Sequence, residues 1–255
     1  MARIPSTLII LSIFSRAIFQ IAAVQSATNE SPQLEMVAAS QNSQEDVPLI
    51  CNLVNATEYR NRLSQLNTFF LNYYREPVTN EQTCDYNNPP STGKVCKTGV
   101  KNWNTCNRAN SYMHHGAIPC NFLKLSNVIG WIPEFYNNTN DLPSNMPSDL
   151  KKYINSESKR GTSYLNNIWV SCKGKSPADQ ENVEDIAIFP SPSGFPGYFY
   201  SNLNVEGYLS PLVAVTFEHF MTNIIIGVEC KAWAKNINES QAVVNFEFLV
   251  ENRRH

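Results

Sequence analysis

With 255 residues, a net charge of −2 and a pI near 6.1, the chain has no clustered basic excess to neutralise phosphates, which excludes nucleic-acid binding as its main role. Hydrophobic residues make up 42% and charged residues 16%, the balance of a folded protein rather than a disordered one. The length fits one sizeable domain or two small ones.

The chain opens on a nearly continuous apolar stretch, Ile4 to Val24, behind a single basic residue, Arg3. It reads in two ways. As a cleavable signal peptide it has an apolar core, Leu8 to Phe14, followed by the small residues Ala22, Ala23 and Ser26. As an uncleaved signal-anchor it just reaches the roughly 20 apolar residues a bilayer requires, with Arg16 costing about 2.5–3.5 kcal/mol near the helix centre. Both readings send the remainder outside the cytoplasm, and Arg3 favours an inside N-terminus.

Residues 25–57 are polar and irregular and read as a stalk or linker. Leu63, Leu66, Phe70 and Tyr73 then recur at helical spacing, which predicts one amphipathic helix. From Cys84 to Cys120 the chain is loop-like, too poor in apolar residues to hold itself without cross-links. Phe122, Lys124 and Ser126 alternate with Leu123, Leu125 and Asn127, a strand pattern. Residues 136–163, with Pro143 and Pro147, read as surface loop.

The C-terminal third is strand-rich. A run leads into Cys172, another contains Cys230, and Val244, Phe246, Phe248 and Val250 alternate with Asn245, Glu247 and Leu249. Between them Leu212, Ala214 and Thr216 alternate with Val213, Val215 and Phe217, so this strand is apolar on both faces. It is expected to be central, covered on one side by a facing sheet and on the other by the helix or the Cys84–Cys120 layer. Separated β-rich runs of this kind predict a two-layer antiparallel sandwich.

No phosphate-binding Gly-rich loop, no HExxH and no Gly-x-Ser-x-Gly turn occurs. His114 and His115 are adjacent and would point to opposite faces of a strand, a poor metal pair. No catalytic residue, metal site or cofactor is therefore assigned. The seven cysteines, at 51, 84, 96, 106, 120, 172 and 230, read in an exported chain as disulfides plus one odd thiol. Spacing alone leaves the fifteen pairings of the last six open. Sequons stand at Asn29, Asn55, Asn137 and Asn238. Asn29 is too near the apolar stretch to be modified if that stretch stays in the membrane, which leaves Asn55, Asn137 and Asn238 as glycosylation candidates.

Five segments, in order, carry a family resemblance. They are the KVC step followed by nine residues to Cys106, GAIPCNFLKLSNVIGWIP, VSCKGKSPADQENV, the GFPGYFY and GYLSPLVAVTF pair, and VECKAWAKNI. This set resembles the beta subunits of the sodium/potassium- and proton/potassium-transporting ATPases over about residues 58–251. The N-terminus differs from the family's longer cytoplasmic tail and aromatic-patterned span, and Cys106-Asn107-Arg108 stands where the family has Cys-Ser-Gly. The distance from Val24 to Cys84 is similar to the family's, which favours the anchor over cleavage.

The resemblance implies consecutive disulfides, Cys84–Cys96, Cys106–Cys120 and Cys172–Cys230, with Cys51 left over. It implies a non-catalytic accessory subunit that binds a catalytic alpha subunit of a P-type cation-transporting ATPase, assists its folding and delivery, and tunes its cation affinity. Contacts are expected from rigid aromatics and their neighbours, namely Phe195, Pro196, Tyr198, Phe199, Tyr200, Tyr208 and Pro211. The expected fold is mainly β: an immunoglobulin-like antiparallel β-sandwich ectodomain over residues 58–255, with one helix and a disulfide-stapled loop region, behind the single N-terminal apolar segment at 1–24. The expected location is the plasma membrane, single-pass type II. The alternative is a secreted, disulfide-stapled, immunoglobulin-like adhesion or binding module with no pump attached.

Overall fold

The computed structural model describes residues 31–37, 49–51, 56–74, 78–99, 103, 106–107, 109–110, 112 and 120–250, with backbone only at 49–51 and 56–59. The N-terminal apolar stretch, His114, His115 and the Asn29 and Asn55 sequons lie outside the described residues. No helix among the described residues is long and apolar enough to cross a membrane.

The strands are β1 (Gln33–Met36), β2 (Leu49–Cys51), β3 (Glu81–Gln82), β4 (Val95–Cys96), β5 (Asn121–Ser126), β6 (Asn167–Gly174), β7 (Val183–Phe189), β8 (Gly194–Pro196), β9 (Leu212–Phe220), β10 (Ile225–Trp233) and β11 (Val243–Val250). The helices are α1 (Ala56–Tyr73), α2 (Ser148–Glu157) and α3 (Pro177–Asn182). A four-stranded sheet has the order β1-β5-β9-β7 and a five-stranded sheet the order β2-β11-β10-β6-β8. Pairing is antiparallel except for β2 on β11, and β3 with β4 makes a separate parallel ribbon.

The two sheets bury a common core because each central strand alternates. Leu123 and Leu125 of β5 and Val213, Val215 and Phe217 of β9 pack with Ile168, Val170, Ile226, Val228, Phe246 and Phe248 of the other sheet. The opposite face of the four-stranded sheet is covered as well. Phe122, Leu212 and Ala214 meet Leu66 and Phe70 of α1, together with Trp103, Cys106, Tyr112 and Cys120. Strand β9 is two-sided for this reason: odd positions face the second sheet, and Leu212 and Ala214 face the helix and the Cys106–Cys120 layer.

A third cluster covers the outer face of the five-stranded sheet. Leu150 and Ile154 of α2 pack with Met146, Leu165, Trp169 and Trp233. Residues 136–163 are thus not all surface loop, and α1 is not the only helix. Helix α2 has ten residues, entered from Pro147 with Asp149 in its first turn, where a carboxylate suits the helix dipole. Its apolar stripe amounts to Leu150 and Ile154, one turn apart. Helix α3 is shorter still and begins with a capping box, Ser176 to Asp179, with Pro177 in its first turn.

The stretch read as a linker contributes two edge strands. Gln33, Leu34, Glu35 and Met36 pair with Ser126, Leu125, Lys124 and Leu123, and Leu49–Cys51 pairs with Phe248–Val250. Both strands are short, and their partners are distant in sequence. Strands β7 and β8, between the Cys172 run and β9, are two further strands beyond those the alternation predicts.

Candidate partner surface and its disulfide framework

The cysteines stand as Cys84–Cys96, Cys106–Cys120 and Cys172–Cys230, with Cα–Cα distances of 5.5, 5.7 and 4.1 Å. The first two close loops of 12 and 14 residues, and the third spans 58. On chain entropy the short closures contribute about 3 kcal/mol each and the long one about 4. Cys172 and Cys230 are register partners on adjacent strands, so this bridge reinforces one sheet and does not join the two layers. Cys51 pairs through its backbone with Val250.

The first bridge supports the aromatic segment that precedes β9. Asn202 donates from Nδ2 to the carbonyls of Ser91 (2.9 Å) and Lys94 (2.8 Å), and Asn80 Nδ2 donates to the carbonyl of Glu206 (3.1 Å). Asn202 is therefore stitched to the loop that Cys84–Cys96 closes, and Asn80, which also donates to the Gly93 carbonyl of that loop, ties Glu206 to it. Gly194, at φ +143°, starts the segment, and a Cβ there would lie 2.2 Å from the Ile168 carbonyl oxygen. Only glycine lets β8 approach β6 this closely.

The seven expected contact residues divide by burial. Phe195, Pro196, Phe199, Tyr200 and Pro211 are buried in the chain itself, while Tyr198 and Tyr208 are half-buried. These five are buried in this chain: β8 and the tight turn Gly197–Tyr200 fold Phe195, Pro196, Phe199 and Tyr200 inward, and Pro211 lies immediately before the buried start of β9. Tyr198 stands edge-on to Tyr86 at 5.3 Å, and Tyr200 edge-on to Trp131 at 5.8 Å. Burial, with Asp85 nearby, pushes the Tyr198 phenol up to about 12. Burial likewise raises Tyr200, Tyr208 and Tyr73 well above an ordinary phenol. All four are neutral at physiological pH, so they offer rings and hydroxyls and no charge.

Tyr73 at the end of α1 donates its hydroxyl to the Ser210 carbonyl, and Ser210 Oγ donates to the Leu125 carbonyl at 3.0 Å. These bonds bring the end of α1, the end of β5 and the start of β9 to one end of the sandwich. Asn137 is exposed; Asn238 is exposed too, and its Oδ1 accepts from the amide (3.0 Å) and hydroxyl (2.8 Å) of Ser240. No group of three or more His, Cys, Asp or Glu among the described residues could hold a metal ion.

A family model described as the sodium/potassium ATPase beta chain matches residues 10–251. The chain is 51% identical over 176 residues to the sodium/potassium-transporting ATPase subunit beta-2 of Drosophila melanogaster, a match covering 68% of this chain and 54% of that protein. It is 39% identical over 192 residues to subunit beta-1 of the same organism, covering 73% and 60%. Against the probable subunit beta-3 of Caenorhabditis briggsae it is 25% identical over 213 residues, covering 80% and 61%. The matches thus span little more than half the length of these relatives. A family match over nearly the whole chain, on a sandwich held by three disulfides, identifies this chain as a member of the sodium/potassium ATPase beta chain family.

Proposed function

We propose that the protein is a non-catalytic accessory subunit that binds the catalytic alpha subunit of a P-type sodium/potassium-transporting ATPase, assists its folding and delivery, and tunes its cation affinity. The observation that carries this reading is the family match over residues 10–251. A rigid, disulfide-held sandwich suits the role. It presents a preformed surface, which lowers the ordering cost of association, and it stabilises the assembled partner by mass action.

The contact is assigned to the exposed parts of Tyr198 and Tyr208, with Phe195, Pro196, Phe199, Tyr200 and Pro211 holding them in place from within. The N-terminal apolar stretch serves as the signal-anchor, with the sandwich outside the plasma membrane. Asn137 is the glycan acceptor proposed among the described sequons.

Co-expression with a sodium/potassium pump alpha subunit tests the reading. The expected result is co-purification from detergent and more alpha subunit at the cell surface. A chain that reaches the medium without its N-terminal stretch and leaves the alpha subunit unchanged would instead be a secreted binding module.

A further inference from the structure

The two most exposed large apolar side chains among the described residues are Ile132, at 80%, and Ile129, at 72%. Both lie on the turn that follows β5, with the Trp131 amide bonded to the Val128 carbonyl at 3.0 Å. Asn127 (φ +54°) and Gly130 (φ +80°) take left-handed conformations that push the turn outward. Trp131 lies between the isoleucines, half-buried and edge-on to Tyr200. Tyr74, at the end of α1, belongs to the same end of the sandwich through the Tyr73–Ser210–Leu125 bonds and is itself exposed. Two aliphatic tips backed by Trp and Tyr form the composition found where a protein meets a bilayer interface.

Chain length favours lipid as the occupant. Strand β1 enters its sheet at this end, with Gln33 opposite Ser126. In the sequence only residues 25–32 separate the Ile4–Val24 stretch from Gln33. Nine such steps reach about 30 Å fully extended and roughly 17 Å as a flexible coil. A second exposed apolar group, Met221, Ile224 and Ile225, lies at the far end of β9, a strand of nine residues and therefore about 30 Å long. The strand by which the sandwich begins, β1, therefore starts on the Ile129 end of its sheet, a strand length from Met221.

Charge selects the kind of lipid. Lys124 is paired with Glu35 at 3.2 Å and Lys235 faces Asp141 at 3.9 Å, while Glu134 is exposed beside the turn. Both described lysines that flank the turn thus stand beside carboxylates, and a zwitterionic surface suits them.

We propose that the Val128–Pro133 turn seats Ile129 and Ile132 in the outer-leaflet interface of a zwitterionic membrane, with Trp131 behind them at headgroup level. The proposal rests on the anchor reading of the N-terminal stretch. It also bears on Asn238. Asn236 donates from Nδ2 to the Ile132 carbonyl at 2.8 Å and accepts from the Glu134 amide at 2.9 Å, so the Asn238 loop flanks the turn. A glycan there would hold the turn off the bilayer, and Asn238 is expected to be unmodified.

The test reconstitutes the full chain in vesicles of phosphatidylcholine brominated on its acyl chains near the headgroup and reads tryptophan quenching. The expected result is a quenched component that disappears in Trp131→Phe and falls to background in Ile129→Asp/Ile132→Asp, a pair of exposed sites whose change leaves circular dichroism unaltered. Carbonate extraction of the same vesicles separates the two ideas. A chain released by carbonate defeats the anchor and this seating with it. A chain retained but unquenched at Trp131 defeats the seating alone. Loss of alpha-subunit co-purification in the double aspartate variant, with no quenching in the parent, assigns the turn to a protein contact and overturns the proposal, as does a glycan mapped to Asn238.

Discussion

Phe217 of β9 stacks on Phe248 of β11 with ring centroids 4.6 Å apart and planes 19° from parallel. The rings come from different sheets and are both buried, so this pair joins the two layers at the centre of the core. Phe220 adds an edge-on contact to Phe248 at 5.6 Å. Phe217→Ala removes a ring from a closed space on which both sheets depend. The expected loss is about 3–5 kcal/mol, read as a lower midpoint in chemical denaturation. A change below about 1 kcal/mol would mean the layers are held together elsewhere.

The Cys172–Cys230 bridge closes the longest loop of the three. A Cys172→Ser/Cys230→Ala variant is expected to lose up to about 4 kcal/mol, more than the roughly 3 kcal/mol for either short bridge. Alanine is chosen at 230 because that position is fully buried and a serine hydroxyl would be left unsatisfied. The β6–β10 backbone ladder persists, so the variant should unfold in a single transition at lower denaturant. Equal losses for the three bridges would contradict this ranking.

Asp179 locks α3 onto β10. Its Oδ2 accepts from the Ser176 hydroxyl (2.6 Å) and amide (2.9 Å), and its Oδ1 accepts from the Gly227 amide at 2.9 Å. Burial pushes this carboxyl up, but the bonds from Ser176 and Gly227, with Lys175 nearby, outweigh it and leave the group below its usual value. A depressed folded-state value means the stabilisation is fully present above the unfolded carboxylate pKa and is lost as pH falls through the folded one. The stability difference between the parent and Asp179→Asn should therefore be present at neutral pH and vanish in acid. A pH-independent difference would show that the lock does not depend on the charge.

Tyr198 and Tyr208 retain surface in the isolated chain, whereas Phe199 does not. Tyr198→Ala with Tyr208→Ala is expected to weaken alpha-subunit capture about tenfold or more if both are anchors, with the denaturation midpoint less affected than in Phe199→Ala. Capture at parental levels with both tyrosines removed would move the interface to another face of the sandwich.

By itself the sequence determined the elements whose signal is local and repeated. Strands β5, β9 and β11 alternate over six to nine residues, and α1 repeats its apolar positions from Leu63 to Tyr73, about three turns, so periodicity exposed each of them. The two apolar faces of β9 likewise required two covering layers. The tertiary structure decided the elements that have no periodicity to show. Strands β1 and β2, four and three residues long, exist through backbone bonds to partners some 90 and 200 residues away, and α2 is anchored largely by Leu150 and Ile154 against two tryptophans of the five-stranded sheet. It also decided which way the aromatic segment faces. Composition records that Phe195, Phe199 and Tyr200 are large and apolar, but whether such rings meet a partner or their own core depends on the direction in which the backbone turns, and here β8 and the following turn direct them inward.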